Sequence, residues 1–285
     1  MTTPDFDDQQ LRAETWFRVL RDQICAAFEQ LEDEGGGDAP AGRFERTAWQ
    51  RPDASGAPGG GGVMSVMKGR VFEKVGVNIS TVHGSFSSEF AKTIPGADVD
   101  PSFYATGISL VAHMANPLVP AVHMNQRFLV TSKRWFGGVA DLNPALPVET
   151  DTAEFHAAFK EACDRHGDDY YARFSKWCDE YFYVPHRSRH RGVGGIFYDY
   201  LGDDWDADFA FTQDVGRTFL ATFPPIARRH MHEAFTEEQR IAQLRYRGLY
   251  AEFNLVYDRG TLFGLKTGGN VDAILMSLPP LARWD

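Results

Sequence analysis

Two stretches of alternating residues, Gly107 to His113 and Ala121 to Val130, are joined by the proline-bounded run Asn116-Pro117-Leu118-Val119-Pro120, and they restrict this chain more than any other feature. Proline lacks the N–H and the freedom in φ that a helix needs, so the run is a turn and the flanking stretches pair as antiparallel strands. Side chains alternate between the faces of a strand. One face of the second strand therefore carries His123, Asn125 and Arg127, and one face of the first carries Ser109, Val111 and His113. A buried polar group needs a partner, so five such groups do not suit a core face. The face is either solvated sheet surface or the lining of a binding site. As a lining, Arg127 suits a two-pronged grip on a carboxylate, Ser109 and Asn125 add hydrogen bonds, and His123 can move a proton near neutral pH.

The rest of the pattern supplies the setting. Leu11, Phe17, Leu20, Ile24, Phe28 and Leu31 recur at helical spacing and predict an amphipathic first helix, ended by Gly35-Gly36-Gly37. Phe44 to Trp49 is a short strand, and residues 51–62 are expected to form a flexible Gly-rich loop. No Gly-Lys-Ser/Thr follows that loop, so a phosphate cradle is not indicated. Strand-like alternation holds to Val130, helical spacing returns over residues 152–183, and residues 207–246 form a helix broken at Pro224-Pro225. Residues 250–265 read as two strands about an Asp258-Arg259-Gly260 turn, with a short closing helix after Gly269. Regular βαβ alternation is missing, so the fold class is α+β, a single domain (1–285) built on a large antiparallel sheet covered by helices. The 285 residues include 43% hydrophobic and 13% aromatic ones, enough for one large core.

A formal charge of −10 leaves no general field for holding polyphosphate, which argues against nucleic acid as a partner. An anionic ligand must then meet a local cluster, and His186-Arg187-Ser188-Arg189-His190-Arg191 provides one. The absence of a long apolar run and the acidic opening residues predict no membrane insertion and a cytoplasmic protein. Cys25, Cys163 and Cys178 are odd in number and lack CxxC spacing, so they are expected to be reduced and buried. After the histidine strand, the segment Trp135 to Pro144 reads as a turn carrying one acid, Asp141. His113, His123, His156 and His186 match no compact metal motif. His166-Gly167-Asp168 interrupts a helical stretch and reads as a cap.

These motifs together resemble the oxygen-dependent coproporphyrinogen III oxidase family. The likeness runs from about Gly59 to Trp284 and rests on GGGG, VFEKVGVNIS, GISLVAHMANPLVPAVHMNQRF, WFGGVADLNP, KWCDEYFYVPHR, RGVGGIFYDY, FNLVYDRGTLFGLKTGG and ILMSLPPLARW, in that order. It implies a sheet with helices on both faces, a homodimer joined through residues 250–285, and a cleft for coproporphyrinogen III and O2. It implies two propionates converted to vinyls in haem biosynthesis, with release of CO2 and H2O2 and no redox cofactor. By the same resemblance His123, Asp141 and Arg127 are catalytic, with His123 the proton donor and Asp141 an anchor or base facing the pyrrole N–H groups. Substrate binding falls to Ser109, Asn125, Gln126, Arg127, Arg191, Gly268, Gly269 and Asn270. A divalent metal on His113, His123, His156 and His186 is carried over in the same way. Three departures stand out: Val63-Met64 after the glycines, Asn270 where the family has arginine, and Tyr200 where it has a second acid. The loss of the arginine raises the alternative of a tetrapyrrole carrier without turnover, and the histidines raise that of a metal-dependent oxygenase.

Overall fold

The computed structural model describes residues 6–285 apart from Asp38, Ala54, Thr267 and Gly268. The chain opens with α1 (Phe6–Glu34), then β1 (Glu45–Pro52), β2 (Pro58–Met67), β3 (Phe72–Ser85), the short α2 (Ser88–Ala91), β4 (Ser102–Met114), β5 (Ala121–Val130) and β6 (Arg134–Asn143). It continues through α3 (Glu149–Asp164), α4 (Tyr170–Tyr181), the two-residue strands β7 (Tyr183–Val184) and β8 (Arg189–His190), and β9 (Gly194–Leu201). It closes with α5 (Trp205–His230), α6 (Glu237–Val256), α7 (Arg259–Lys266) and α8 (Val271–Leu275). The main sheet has seven strands in the order β1-β2-β3-β4-β5-β6-β9, and every neighbouring pair is antiparallel. The fold is α+β.

Period-2 alternation divides the sheet into two chemically different faces. Ile108, Leu110, Val122, Met124, Phe128, Phe136 and Ala140 pack against Phe17, Leu20, Ile24 and Phe28 of α1 and Val215, Phe219 and Phe223 of α5. On the opposite face Val139 and Phe197 meet Phe182 and, from α6, Leu249 and Phe253. Both faces are thus covered by helices, with the second cover confined to part of the sheet. Met276, just beyond α8, lies over Gly76, where a Cβ would overlap its sulfur.

Several expected elements differ. The four glycines of the expected loop are strand residues of β2, whose register with β1 runs from Val66 to Pro58. Gly60 has a φ of +85°, and a side chain there would run into the Thr81 carbonyl of the next strand, so glycine is used for close approach. Residues 134–143 form a strand and not a turn. The expected closing hairpin is helical: Leu249, Tyr250 and Phe253 sit on one face at helical spacing and are buried. α5 runs through Pro224-Pro225 unbroken, held by burial of Phe219, Phe223, Ile226 and Ala227 on both sides of the pair. Leu11 is exposed, and Ala13 takes its place on the buried face of α1.

Gln126 also lies on the packed face. It is completely buried; its Oε1 accepts from Trp16 Nε1 at 3.3 Å and its Nε2 donates to the Thr212 carbonyl at 2.7 Å. It ties α1 and α5 to the sheet and cannot reach a substrate on the other side. Replacing Gln126 by Ala leaves a donor and an acceptor unpaired and opens a void, which should cost about 2–4 kcal/mol. Denaturant unfolding should show that loss, while kcat/KM per folded molecule stays at the wild-type value.

Candidate active site

The strand register builds the open face row by row. Ser109 stands opposite Asn125, Val111 opposite His123, and Gly107 opposite Arg127. β6 extends the rows with Asp141 beside His123, Val139 beside Asn125 and Gly137 beside Arg127. β3 adds Asn78 beside Ser109. Ser109, His123, Asn125 and Arg127 are half-buried, so their polar ends line one accessible surface.

His123 and Asp141 form the centre. Asp141 Oδ1 lies 2.7 Å from His123 Nδ1, and Asp141 Oδ2 accepts from Arg191 Nη2 at 2.6 Å and from Asn143 Nδ2 at 2.8 Å. Arg191 Nη2 also lies 3.4 Å from His123 Nδ1, an arrangement that would require that nitrogen to be unprotonated. The far shorter carboxylate contact decides the tautomer: Nδ1 carries the proton, and Nε2 is left for a group in the cleft. Phe182 meets the imidazole edge-on at 6.0 Å and limits its tilt.

Asp141 and Arg191 are both buried, with side-chain exposures of 1% and 2%. Burial pushes the Asp141 carboxyl up, but the Arg191 guanidinium and the His123 ring outweigh it and hold the group below the usual carboxylate range. Burial works against the charge of Arg191, yet Asp141 keeps the guanidinium above its ordinary value. The guanidinium is packed against Phe182, Tyr250 and Phe253, with its carbon 3.9, 4.5 and 4.9 Å from the ring centres. Two of the expected site residues lie inside the protein. Arg191 is the internal counter-charge of Asp141, and Asp141 has both oxygens engaged, Oδ1 on His123 and Oδ2 on Arg191 and Asn143.

Arg127 is 29% exposed and donates to Asp199 Oδ2 at 2.6 Å and to Asn125 Oδ1 at 3.2 Å. Asp199 had no assigned role in the sequence reading, although it falls on the same strand face as Phe197. The alternation of β9 was the signal that could have found it.

The four histidines are not gathered. His113 is buried with Nε2 on the Ser277 carbonyl at 2.9 Å. His156 is held by Tyr171 Oη and the Val193 carbonyl, and His186 by Tyr257 Oη and Glu252. Among the described residues no group of three or more His, Cys, Asp or Glu side chains is arranged to hold a metal ion. The expected ligand set therefore does not fit a shared metal. Asn270 caps α8, its Oδ1 accepting from Ala273 N at 2.9 Å, and the Gly269 N–H is taken by the Gly264 carbonyl at 2.9 Å. Gly268 lies outside the described residues.

The C-terminal segment instead closes the β3–β4 side of the open face. Asn78 Nδ2 donates to the Ala273 carbonyl, Lys74 Nζ to the Leu278 carbonyl, and His113 meets the Ser277 carbonyl, all at 2.8–2.9 Å. A separate hollow of about 730 Å³ lies between α1 and the β1–β2 hairpin, lined by Phe17, Gln50, Val63 and Thr81. It is on the α1 side of the sheet and shares none of the residues expected in the site.

The fold and this constellation can be set beside known proteins. The profile of the coproporphyrinogen III oxidase family matches residues 12–285, and the chain belongs to that family. It is 58% identical over 274 residues to the oxygen-dependent coproporphyrinogen-III oxidase of Rickettsia bellii (strain RML369-C), covering 95% of this chain and 96% of the relative. It is 57% identical over 275 residues to the protein of the same name from Rickettsia africae (strain ESF-5), again covering 95% and 96%.

The burial of His113 has a measurable consequence. Burial, aided by Arg247, Lys74 and Arg191, lowers its pKa to about 3 against the opposing pull of the Ser277 carbonyl. The unfolded ring binds a proton below its ordinary value near 6.5 and the folded ring does not, so its contribution to stability is present above about pH 6.5 and is lost as pH falls toward 3. Between pH 7.5 and 5.5 wild type should lose about 1 kcal/mol more than His113→Gln, read from urea unfolding at the two pH values.

Proposed function

We propose that this chain is an oxygen-dependent coproporphyrinogen III oxidase. It converts two propionate side chains of coproporphyrinogen III to vinyl groups, giving protoporphyrinogen IX in haem biosynthesis. Each turn takes one propionate carboxylate, one O2 and one proton to one vinyl, one CO2 and one H2O2. The C–CO2 bond and one C–H bond of the side chain break, a C=C bond forms, and O2 takes up the two electrons. No redox cofactor is needed in this reading, because the two electrons that O2 takes up come from the C–CO2 and C–H bonds of the substrate's own side chain.

The observation that carries the reading is His123, held through Nδ1 by Asp141 and open at Nε2, in the same strand face as Ser109, Asn125 and Arg127. The carboxylates of the substrate match the partly exposed guanidinium of Arg127, with Asn125 and Ser109 as neutral hydrogen-bonding neighbours. With Nδ1–H held by Asp141, the His123 ring supplies the proton that the balance requires from Nε2 when that nitrogen is protonated as well, and Arg191 keeps Asp141 in position. The protein thereby orients the macrocycle, excludes water and manages one proton.

Residues 250–285 serve as the dimerisation segment in this reading. Leu255, Val256, Val271, Leu281 and Trp284 are exposed apolar side chains in that stretch, an unusual concentration for a surface in water. A cytoplasmic location accords with three buried, unpaired cysteines. No helix among the described residues is long and apolar enough to cross a membrane.

The test is incubation of the purified protein with chemically reduced coproporphyrinogen III in air, with and without a chelator, and separation of the products by chromatography. The divinyl product should form in both samples and fall by about 100-fold or more in His123→Ala. Conversion lost with chelator would replace this reading by a metal-dependent oxygenase. Tight binding without conversion would replace it by a carrier.

A further inference from the structure

The β6–β9 ladder contains an irregularity that the sheet itself does not need. Phe136 pairs with Leu201 and Gly138 with Tyr198, so Asp199 and Tyr200 together oppose the single residue Gly137. An extra residue of this kind is a β-bulge, which bends the strand and re-aims a side chain. Tyr200, within the bulge, has a φ of +60°, a left-handed conformation unfavourable for a residue with a bulky side chain. The side chain re-aimed is that of Asp199, whose Oδ2 accepts from Arg127 Nη2 at 2.6 Å and whose Oδ1 accepts the Tyr200 N–H at 3.0 Å. The path between them is clear because residue 137 is glycine: a Cβ there would stand 2.5 Å from Asp199 Oδ1 and 2.8 Å from Arg127 Cζ. Three separate features, the bulge, the left-handed Tyr200 and the bare Gly137, converge on one ion pair.

We propose that Asp199 is a positioning residue: it holds one edge of the Arg127 guanidinium against the sheet, so that the remaining N–H groups meet a propionate carboxylate of the substrate in a fixed geometry. The pair is suited to this because it is lopsided. Asp199 is 10% exposed and Arg127 29%, so the acid is the fixed partner and the base keeps an open side. A planar guanidinium pinned at one edge loses little further freedom when a second carboxylate docks at the other. Asp199 reaches substrate only through Arg127 and takes no part in proton transfer.

The inference rests on the oxidase reading for the identity of the carboxylate, and its test separates the two. Two quantities are measured for wild type, Asp199→Ala and Asp199→Asn: KM and kcat for coproporphyrinogen III, and the ratio of dissociation constants for coproporphyrin III and its tetramethyl ester, which lacks carboxylates. Asp199→Ala should raise KM about tenfold with kcat changed less than about threefold, and should reduce the preference for the free acid about tenfold. Asp199→Asn keeps an acceptor for Arg127 and should recover most of both. A lower KM in Asp199→Ala would mean that Asp199 competes with substrate, and an unchanged acid-to-ester ratio would mean that it is merely structural; either overturns the proposal. If the alanine variant does not fold, Asp199→Ser, which retains an oxygen for the Tyr200 N–H, is read in the same way. A wild type that binds without converting defeats the oxidase reading and leaves the binding ratio as the test of Asp199.

Discussion

The buried ion pair between Asp141 and Arg191 is the constraint around which the active half of the molecule is arranged. Neither charge is tolerable alone in that interior, so each forces a surrounding: Asn143 and His123 around the acid, and the rings of Phe182, Tyr250 and Phe253 around the base. Those rings come from the end of α4 and from α6, so the pair also decides where two helices dock. Tyr246 of α6 adds to this by donating to the Arg191 carbonyl at 2.6 Å and to Asn143 Oδ1 at 3.2 Å. The histidine that faces the cleft is thus oriented by a network whose deeper members never meet solvent.

Much of this arrangement was legible in the chain before any coordinates. The alternation of residues 121–130, the proline-bounded turn before it and the pairing with residues 107–113 were enough to bring Ser109, Asn125, His123 and Arg127 to one face, because strand periodicity is a local rule. The same rule, applied strictly, excludes Gln126, which has the parity of Met124 and Phe128. What the chain could not disclose was depth. Arg191 and Arg127 are alike on paper, and only packing by distant residues makes one an internal counter-charge and leaves the other partly exposed.

Tertiary context also explains the misread elements. Residues 250–265 carry aromatic and apolar residues about a turn-like Asp-Arg-Gly, which suits a hairpin equally well, but Leu249, Tyr250 and Phe253 find a partner surface only when wound as a helix. Gly59 to Gly62 look like a loop because strands seldom tolerate four glycines, and they form a strand here because neighbouring backbones approach so closely that side chains would collide. The histidines share neither an element nor a location: His113 and His123 are on neighbouring strands, His156 is on α3, and His186 lies in the turn between β7 and β8. Each has its own local partners, and a tally of histidines contains no information on that point.

The division of β5 into a packed parity and a cleft parity has a consequence for how this family can change over time. Even-numbered residues there answer to the helices beneath them, by volume and at Gln126 by hydrogen bonds, and His123, Asn125 and Arg127 answer to the chemistry of the open face, so the two sets can drift under separate selection within one strand. Length is different. Inserting or deleting a single residue between Ala121 and Val130 would exchange the sets, turning His123, Asn125 and Arg127 into the hydrophobic layer and Phe128 and Met124 into the cleft. Substitution is therefore a gradual route through sequence space for this strand, and a one-residue change of length is a barrier that no single compensating substitution can lower.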